Sequence, residues 1–252
     1  MVLVKYLFEQ GANVSDENTV GETPLFIACK IGNKAIVKYL VENGADINKE
    51  NKNGNTSLFD ACKNGNEAVI KYLIEYGADI NKENSDSETP LIIACSRGNE
   101  AIVKYLVEHG ADINKENSDS ETPLIITCSR GNEAIVKYLV EHGADINKEN
   151  NDKILLFSAC KSGNEAVVKH LIELGADLNI ENKYGENPLF NACKEGNVTL
   201  IKYLIEQGAN INKKNLFGNT PLYYYALYMN KKIIAKDIID REIIFNETYN
   251  II

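Results

Sequence analysis

A near-perfect internal duplication constrains the fold of this chain more than any other feature of its sequence. Residues Asn84–Glu116 are repeated at Asn117–Glu149, and the two 33-residue blocks differ only in that Ala94 becomes Thr127. Looser copies of the block flank this pair on both sides. Self-similarity at such a period is typical of arrays in which each unit packs mainly against its neighbours. We therefore interpret the whole chain through one unit and its variations.

Each copy carries start and stop signals for two short helices. In the central copy, Thr89 followed by Pro90 predicts the start of a helix A, because Thr caps exposed amides and Pro lacks a donor that the first turn leaves without a partner. Gly98 predicts the end of helix A, and Asn99 is a cap for a second helix, helix B. Helix B is predicted to end at Gly110 in the left-handed conformation.

A polar segment separates helix B of one copy from helix A of the next. Turn pairs such as Asn53-Gly54 and Tyr184-Gly185 predict a hairpin-like loop that projects from the helices. Such a copy is not stable alone, since about four or five buried aliphatic side chains at about 1.5–3 kcal/mol each cannot offset the ordering of its backbone at about 1–2 kcal/mol per residue. Each copy therefore requires neighbours.

The repeated residues resemble a known family. The pattern G-x-T-P-L-x-x-A-C-x-x-G-N-x-x-x-V-K-Y-L-x-x-x-G-A-D-I-N, present over Gly21–Asn48, is similar to the ankyrin repeat and recurs along the chain. The resemblance implies an all-α solenoid of stacked antiparallel helix pairs with projecting β-hairpin-like loops. This chain departs from the family pattern at two positions that are often His, which here hold apolar or aromatic residues such as Phe26 and Ile92, and Asn as at Asn33 and Asn66.

We predict a single ankyrin-repeat domain over residues 1–252. Its predicted parts are a partial repeat at 1–17, full repeats at 18–50, 51–83, 84–116, 117–149, 150–181 and 182–214, a capping repeat at 215–242 and a tail at 243–252. Within the fifth full repeat, Cys160 follows Cys128 by 32 residues and the Thr-Pro start is missing, so we expect a distortion near Asp152. The initial half-repeat suggests a fragment of a longer protein or a truncated array.

Composition and charge exclude several classes of function. The net charge is −9, with 27 basic against 36 acidic residues, which argues against nucleic acid as a partner. The N-terminal residues match a repeat helix rather than a signal peptide, and no apolar run approaches the roughly 18 residues that span a bilayer. We therefore predict a monomer that does not insert into membranes and is cytoplasmic, with a nuclear location left open.

The sequence predicts no catalytic, metal or cofactor site. Six cysteines share one repeated position, and equivalent atoms of stacked helices lie about 8–10 Å apart, beyond the roughly 7 Å that a disulfide spans between Cα atoms. We interpret them as free buried thiols, typical of a reducing compartment; they are Cys29, Cys62, Cys95, Cys128, Cys160 and Cys193. The three histidines, His109, His142 and His170, all lie on helix B, and we interpret them as structural. The acidic loops offer too few oxygens for calcium.

The resemblance implies a partner-binding surface on the loops and the exposed side of helix A. Carried over to this sequence, the candidate residues are Lys52, Asn53, Asn55, Lys63, Asn64, Ser85, Asp86, Glu88, Ser96, Arg97, Ser118, Asp119, Glu121, Ser129, Arg130, Asp152, Lys153, Lys161, Lys183, Tyr184, Glu186, Lys194 and Glu195. Arg97 and Arg130 stand out because arginine is favoured for bidentate contacts with carboxylates, yet only three of the 27 basic residues are Arg. Duplication of a neutral surface residue explains them equally well.

The predicted function is a non-catalytic scaffold that binds another protein, of unknown identity, on this surface. The alternative is a regulatory or targeting segment of a larger enzyme, channel or effector whose active part lies outside this chain. A modification is also implied by the resemblance, because loops such as Leu40–Asn48 are similar to substrates of asparaginyl hydroxylases. The candidate positions are Asn48, Asn81, Asn114, Asn147, Asn179 and Asn212.

Overall fold

The chain forms two compact units, Met1–Ile146 and Asn147–Ile252. The structure, a computed structural model, describes residues 2–146 of the first unit and 155–232 of the second. These residues form helices, turns and loops, with no strand in either described range. The boundary between the units lies beside the copy that is one residue shorter than the others.

The first unit consists of one leading helix followed by four helix pairs within the described residues. The helices are α1 (Val2–Glu9), α2 (Pro24–Ile31), α3 (Lys34–Glu42), α4 (Ser57–Asn64), α5 (Glu67–Glu75), α6 (Pro90–Arg97), α7 (Glu100–Glu108), α8 (Pro123–Arg130) and α9 (Glu133–Glu141). Each helix A contacts the next helix A along the row α2, α4, α6 and α8, and each helix B contacts the next helix B along α3, α5, α7 and α9. This stacking of pairs confirms the predicted all-α architecture.

The second unit repeats the arrangement over its described residues. Its helices are α10 (Leu155–Ser162), α11 (Glu165–Glu173), α12 (Pro188–Glu195) and α13 (Val198–Glu206), followed by a helical segment over residues 221–232, α14. The helix A members α10 and α12 contact each other, and each also contacts its own helix B. Residues 233–242 of the predicted capping repeat and the tail at 243–252 lie outside the described residues.

In the central copy the predicted caps begin and end the helices, whereas Thr23, Thr56 and Asn66 precede their helices without a side-chain cap hydrogen bond. The Thr89 hydroxyl oxygen accepts a hydrogen bond from the Ile92 amide at 3.3 Å, and the Asn99 side-chain oxygen accepts one from the Ile102 amide at 3.2 Å. Gly98 lies between α6 and α7 with a φ of 70°, in the left-handed region where a side chain is unfavourable. Local capping and a tight glycine turn therefore place the two helices of a copy side by side.

A repeated row of apolar side chains forms the core of each unit. In the central copy, Leu91, Ile92, Cys95 and Leu106 are fully buried. All six cysteines are buried and unpaired, which confirms their interpretation as free buried thiols. Full burial of an aliphatic side chain contributes about 1.5–3 kcal/mol, so the stability of each copy comes mainly from contact with its neighbours.

One asparagine closes each loop that precedes a helix A in the part of the chain that the structure describes. The Asn51 side-chain oxygen accepts hydrogen bonds from the Asn53 amide at 2.9 Å and the Asn55 amide at 3.1 Å. Successive loop tips are joined by backbone hydrogen bonds, such as that from the Ser85 amide to the Asn53 carbonyl oxygen at 3.0 Å. The same loop closure occurs at Asn18, Asn84, Asn117, Asn182 and Asn215. The loops therefore form a connected row within each unit.

Ser87 occupies a loop position where other copies have glycine, as at Gly54. Its φ is 54°, in the left-handed region, where a residue with a Cβ is about 1–2 kcal/mol less stable than glycine. We expect Ser87→Gly to raise the free energy of unfolding by about 0.5–1 kcal/mol in urea denaturation. The reverse change, Gly54→Ser, should lower it, because a Cβ at Gly54 would lie 3.1 Å from the Ser85 amide nitrogen. A less stable Ser87→Gly variant would contradict this account.

Candidate protein-binding surface

About half of the candidate residues of the first unit lie together in one groove. The groove lies between α4, α6 and the loops that precede them, and its volume is about 520 Å³. Eight predicted binding residues line it, and they are Asn53, Asn55, Lys63, Ser85, Asp86, Glu88, Ser96 and Arg97. Stacking of two copies therefore brings together side chains that lie one repeat apart in the sequence.

The groove also contains residues that sequence reasoning missed. Phe59 and Asp60 of α4 and Ile93 of α6 line it together with the predicted residues. Burial raises the pKa of the Asp60 carboxyl, and the negative charge of Glu22 raises it further, against an opposing effect of nearby lysines. A sequence signal for Asp60 existed, since the equivalent helix A position holds isoleucine in the copies of Ile27, Ile93 and Ile126. An acidic residue at this position is therefore particular to the copy that contains Asp60.

Two predicted binding residues of the first unit also make hydrogen bonds within their own loops. A Glu88 carboxylate oxygen accepts a hydrogen bond from the Asn84 side-chain amide at 2.9 Å, and Glu121 accepts one from Asn117 at 3.3 Å. Both glutamates are half-buried at the base of their loops. Their side chains therefore contribute to the shape of the surface as well as to its charge.

Glu186 is the most enclosed of the candidates within the described residues. It is 4% exposed, and one carboxylate oxygen accepts hydrogen bonds from Lys194 Nζ at 2.7 Å and from the Asn182 side-chain amide at 3.3 Å. The other oxygen accepts a hydrogen bond from the Asn215 amide at 3.2 Å. Because its carboxylate is occupied on both oxygens inside the second unit, we assign Glu186 a structural role.

The helix B face carries contacts between successive copies. Lys71 Nζ lies 5.4 Å from the centre of the Tyr105 ring, and Lys104 Nζ lies 5.5 Å from that of Tyr138, distances at which a cation is attracted to the ring face. His109 stacks on Tyr105 with ring centres 3.9 Å apart, in agreement with its structural interpretation. These side chains stabilise the stack.

The two remaining histidines also lie among helix B side chains. His142 stacks on Tyr138 as His109 stacks on Tyr105, with ring centres 3.9 Å apart. His170 is half-buried, and within the described residues its Nε2 atom has no hydrogen-bond partner.

Over residues 2–146 and 155–232, no group of three or more His, Cys, Asp or Glu side chains is placed to hold a metal ion. In the same ranges no helix has the length and apolar character needed to cross a bilayer.

Comparison with known proteins identifies the architecture. The profile of ankyrin repeats, three copies, matches residues 2–84, 77–150 and 155–248. The chain belongs to the ankyrin repeat family. Among solved structures, the crystal structure of the human ASB11 ankyrin repeat domain is similar with a TM-score of 0.74 and 30% sequence identity, covering 81% of this chain and 91% of that one. No curated protein matches the chain. Ankyrin repeats are generally modules of protein–protein interaction.

Asparagine makes contacts between the repeats of this ankyrin chain. The Asn66 side-chain amide donates to the Cys29 carbonyl oxygen at 2.7 Å, and that of Asn197 donates to the Gly163 carbonyl oxygen at 3.0 Å. This is the position at which the sequence departs from the histidine that is frequent in the family. Asparagine at this position therefore makes a polar contact between neighbouring repeats.

The candidate hydroxylation sites form a second set of bridges. The Asn81 side-chain amide nitrogen donates to the Gly110 carbonyl oxygen at 3.0 Å, and the Asn81 side-chain oxygen accepts from the Asp112 backbone amide at 2.8 Å. Asn48, Asn114 and Asn179 make the same bridge to the following repeat. Within the described residues Asn212 does not make it, and Asn147 lies outside them. The nitrogen and the oxygen of the Asn81 side-chain amide are therefore both already hydrogen-bonded where a modifying enzyme would act.

The other candidates lie on separate parts of the ankyrin surface. Arg97 lines the groove, whereas Arg130 is exposed at the end of α8 and does not line it. Lys194 is half-buried against Glu186. The remaining exposed candidates are Lys52, Asn64, Ser118, Asp119 and Ser129 in the first unit and Lys161, Lys183, Tyr184 and Glu195 in the second. Asp152 and Lys153 lie outside the described residues, as does the distortion expected there.

Proposed function

We propose that this ankyrin chain is a non-catalytic scaffold that binds another protein on the face formed by its loops and helix A members. The groove between α4 and α6 is the observation that supports this function most directly. Its volume of about 520 Å³ accommodates several side chains of a partner, and its lining is polar with both signs of charge. Lys63 and Arg97 supply cations, and Asp60, Asp86 and Glu88 supply carboxylates.

A polypeptide is the ligand class that this lining suits best. A groove with cations and carboxylates together is complementary to a chain that also presents both charges, and electrostatic complementarity provides specificity more than raw affinity. Phe59 and Ile93 add apolar contacts at the same place. Arg97 in particular can bind a carboxylate through two parallel hydrogen bonds, which lysine cannot.

Charge reversal in the groove tests the proposal. We expect affinity capture from the source cell to recover specific proteins with the wild-type chain and to lose them with Arg97→Glu or with Asp86→Lys. A reversed charge in a binding groove weakens affinity by about tenfold to a thousandfold. The matched control is Lys38→Glu on helix B, whose side chain is 56% exposed and pairs only with Glu42 of the same helix in the described structure.

The outcome of that comparison decides where binding occurs. Loss of the same partners with both groove variants, and their retention with the helix B control, would support the groove. Retention of every specific partner by both groove variants would exclude the groove as the binding site. The double variant Arg97→Glu/Arg130→Glu then asks whether the duplicated arginines act together, because a larger loss than with Arg97→Glu alone requires a contribution from Arg130.

Location and oligomeric state belong to the same proposal. Six unpaired, buried thiols support a reducing compartment, cytoplasmic or nuclear. We propose a monomer, and light scattering after size-exclusion chromatography measures its mass against the 28.0 kDa of one chain.

A further inference from the structure

Two loop tips of the second unit, those after Asn182 and Asn215, carry larger apolar side chains than most loop tips of the first. Counted from the asparagine that closes each loop, the two following residues are polar in three loops of the first unit, for example Ser85 and Asp86. In the two loops of the second unit that the structure describes, the corresponding pairs are Lys183-Tyr184 and Leu216-Phe217. Since polar residues fill these positions in the same backbone arrangement elsewhere, the fold does not require apolar side chains here.

These apolar side chains are largely exposed. Leu216 is 75% exposed, Phe217 is 71% exposed and Tyr184 is 46% exposed. We call these three residues the apolar tip. Scattered apolar residues on a surface are ordinary, but an exposed group of large ones on adjacent loops is typical of an interaction site. Tyrosine and phenylalanine are also enriched at the centres of protein interfaces.

The backbone holds the apolar tip in one arrangement. The Leu216 amide donates to the Tyr184 carbonyl oxygen at 2.9 Å, so the two loops are adjacent. Asn215 is 5% exposed, and its side-chain oxygen accepts hydrogen bonds from the Phe217 amide at 3.0 Å and the Asn219 amide at 2.9 Å. A ligand therefore meets side chains on a loop that is already ordered, which lowers the entropy lost on binding.

Positive charge borders the apolar tip, although the chain as a whole carries a net charge of −9. Lys183 and Lys214 are exposed on the same two loops, and Lys183 Nζ lies 5.4 Å from the centre of the Tyr184 ring. Lys213 lies on the same loop as Lys214 and pairs with Glu181. A local charge opposite to that of the whole molecule selects acidic ligands at this place.

We propose that the apolar tip binds a polypeptide segment in which Asp or Glu residues flank one or two large apolar side chains. This inference rests on the proposed function, because it names the chemistry of a partner that the scaffold would bind. The apolar side chains of the segment would contact Tyr184, Leu216 and Phe217, and its carboxylates would lie near Lys183 and Lys214. An anionic membrane is the rival ligand, but two lysines at about 1 kcal/mol each give it little affinity.

Selection from a library of random peptides displayed on phage tests the proposal with the full chain as the bait. We expect the wild-type chain to enrich peptides with Asp or Glu beside Leu, Phe or Trp. A synthetic peptide of the enriched sequence should bind at least about tenfold more weakly to Leu216→Ser/Phe217→Ser, because such side chains carry most interface energy. Lys183→Glu/Lys214→Glu should weaken the same peptide by a similar factor.

Two controls make the result specific. Arg97→Glu, which changes the groove of the first unit, should bind the peptide like the wild-type chain. Leu216→Ser/Phe217→Ser should keep the wild-type midpoint in urea, since both side chains are more than two-thirds exposed. A lowered midpoint would mean that the tip is covered within the chain, and it would overturn the proposal.

The remaining outcomes separate this inference from the proposed function. Enriched peptides without acidic residues, or equal binding to the Leu216→Ser/Phe217→Ser variant, would overturn the inference. Peptides that are lost only with Arg97→Glu would overturn it while supporting the groove as the binding site. Sedimentation with phosphatidylserine vesicles that depends on Leu216 and Phe217 would assign the tip to membranes and also overturn it.

Discussion

Raising the pH from about 7 to about 10 should lower the free energy of unfolding by about 1–2 kcal/mol for each buried cysteine of this chain. Burial raises the pKa of the Cys29, Cys95 and Cys160 thiols from 9.0 to about 12. It raises the pKa of Cys193 to about 11, and that of the other two cysteines also lies well above 9.0. All six thiols therefore stay protonated in the folded chain under conditions in which the unfolded chain ionises.

The direction of this effect follows from the two pKa values of each thiol. Below the unfolded value of 9.0 the thiol is protonated in both states and its contribution to stability is complete. Between 9.0 and the folded value of about 12 for Cys95, only the unfolded thiol loses its proton, so stability falls as the pH rises. The four thiols of the first unit together remove on the order of 5 kcal/mol by about pH 10, comparable with the whole stability of many domains.

Urea denaturation at a series of pH values measures this loss. The informative variant is Cys62→Ala/Cys128→Ala, which removes two thiols that are fully buried. Its loss of stability between about pH 7 and about pH 10 should be smaller than that of the wild-type chain by about 3 kcal/mol. Tyrosines whose pKa is also raised by burial, such as Tyr72 and Tyr105, are common to both proteins and cancel. An identical pH dependence in the two proteins would contradict the assignment.

The fold was predictable because its signals are local and repeated. Thr89, Gly98 and Gly110 act within a few residues of themselves, and the structure places them at the helix ends that the sequence indicates. The contacts that join the copies were not predicted. The Asn81 amide bonds to Gly110, 29 residues away, so a single copy read alone does not contain the partner. The regular recurrence of asparagine was a signal for such bridges, but it does not identify the acceptor.

The candidate site was predictable in part. The family resemblance located the face, and eight of its residues do line one groove, among them Lys63, Asp86 and Arg97. Burial within that face was not predictable from the repeat pattern. Glu88 and Glu186 occupy equivalent positions, yet Glu88 is half-buried and Glu186 is almost fully enclosed, because Lys194 and Asn215 approach only the latter. Lys194 belongs to the same copy as Glu186 and Asn215 to the next loop, so the copy's own sequence and its neighbour together decide the difference.

Replacing Glu186 with alanine should lower the free energy of unfolding of the second unit by about 2–4 kcal/mol. The change removes three side-chain hydrogen bonds, and the side-chain amide of Asn215, a residue that is 5% exposed, then keeps only the Tyr224 hydroxyl oxygen at 3.2 Å as an acceptor among the described residues. Lys194 would lose its ion pair, but its side chain is 34% exposed and can turn to water, which limits the loss. The matched control is Glu195→Ala, an exposed candidate of the same unit, whose effect should stay within about 0.5 kcal/mol.

Hydrogen exchange measured on peptides from residues 155–232 localises the Glu186→Ala effect and separates a structural from a binding role. Protection should fall in the loop of Asn182 and in that of Asn215, because Glu186 bonds to both asparagines. Equal protection in Glu186→Ala and Glu195→Ala would show that the other hydrogen bonds of Asn215 suffice, and Glu186 would again count as a candidate partner contact. If protection falls as expected, a loss of partner binding in Glu186→Ala reports disorder of the loop of Asn215. That loop carries Leu216 and Phe217, and Asn215 holds it through hydrogen bonds.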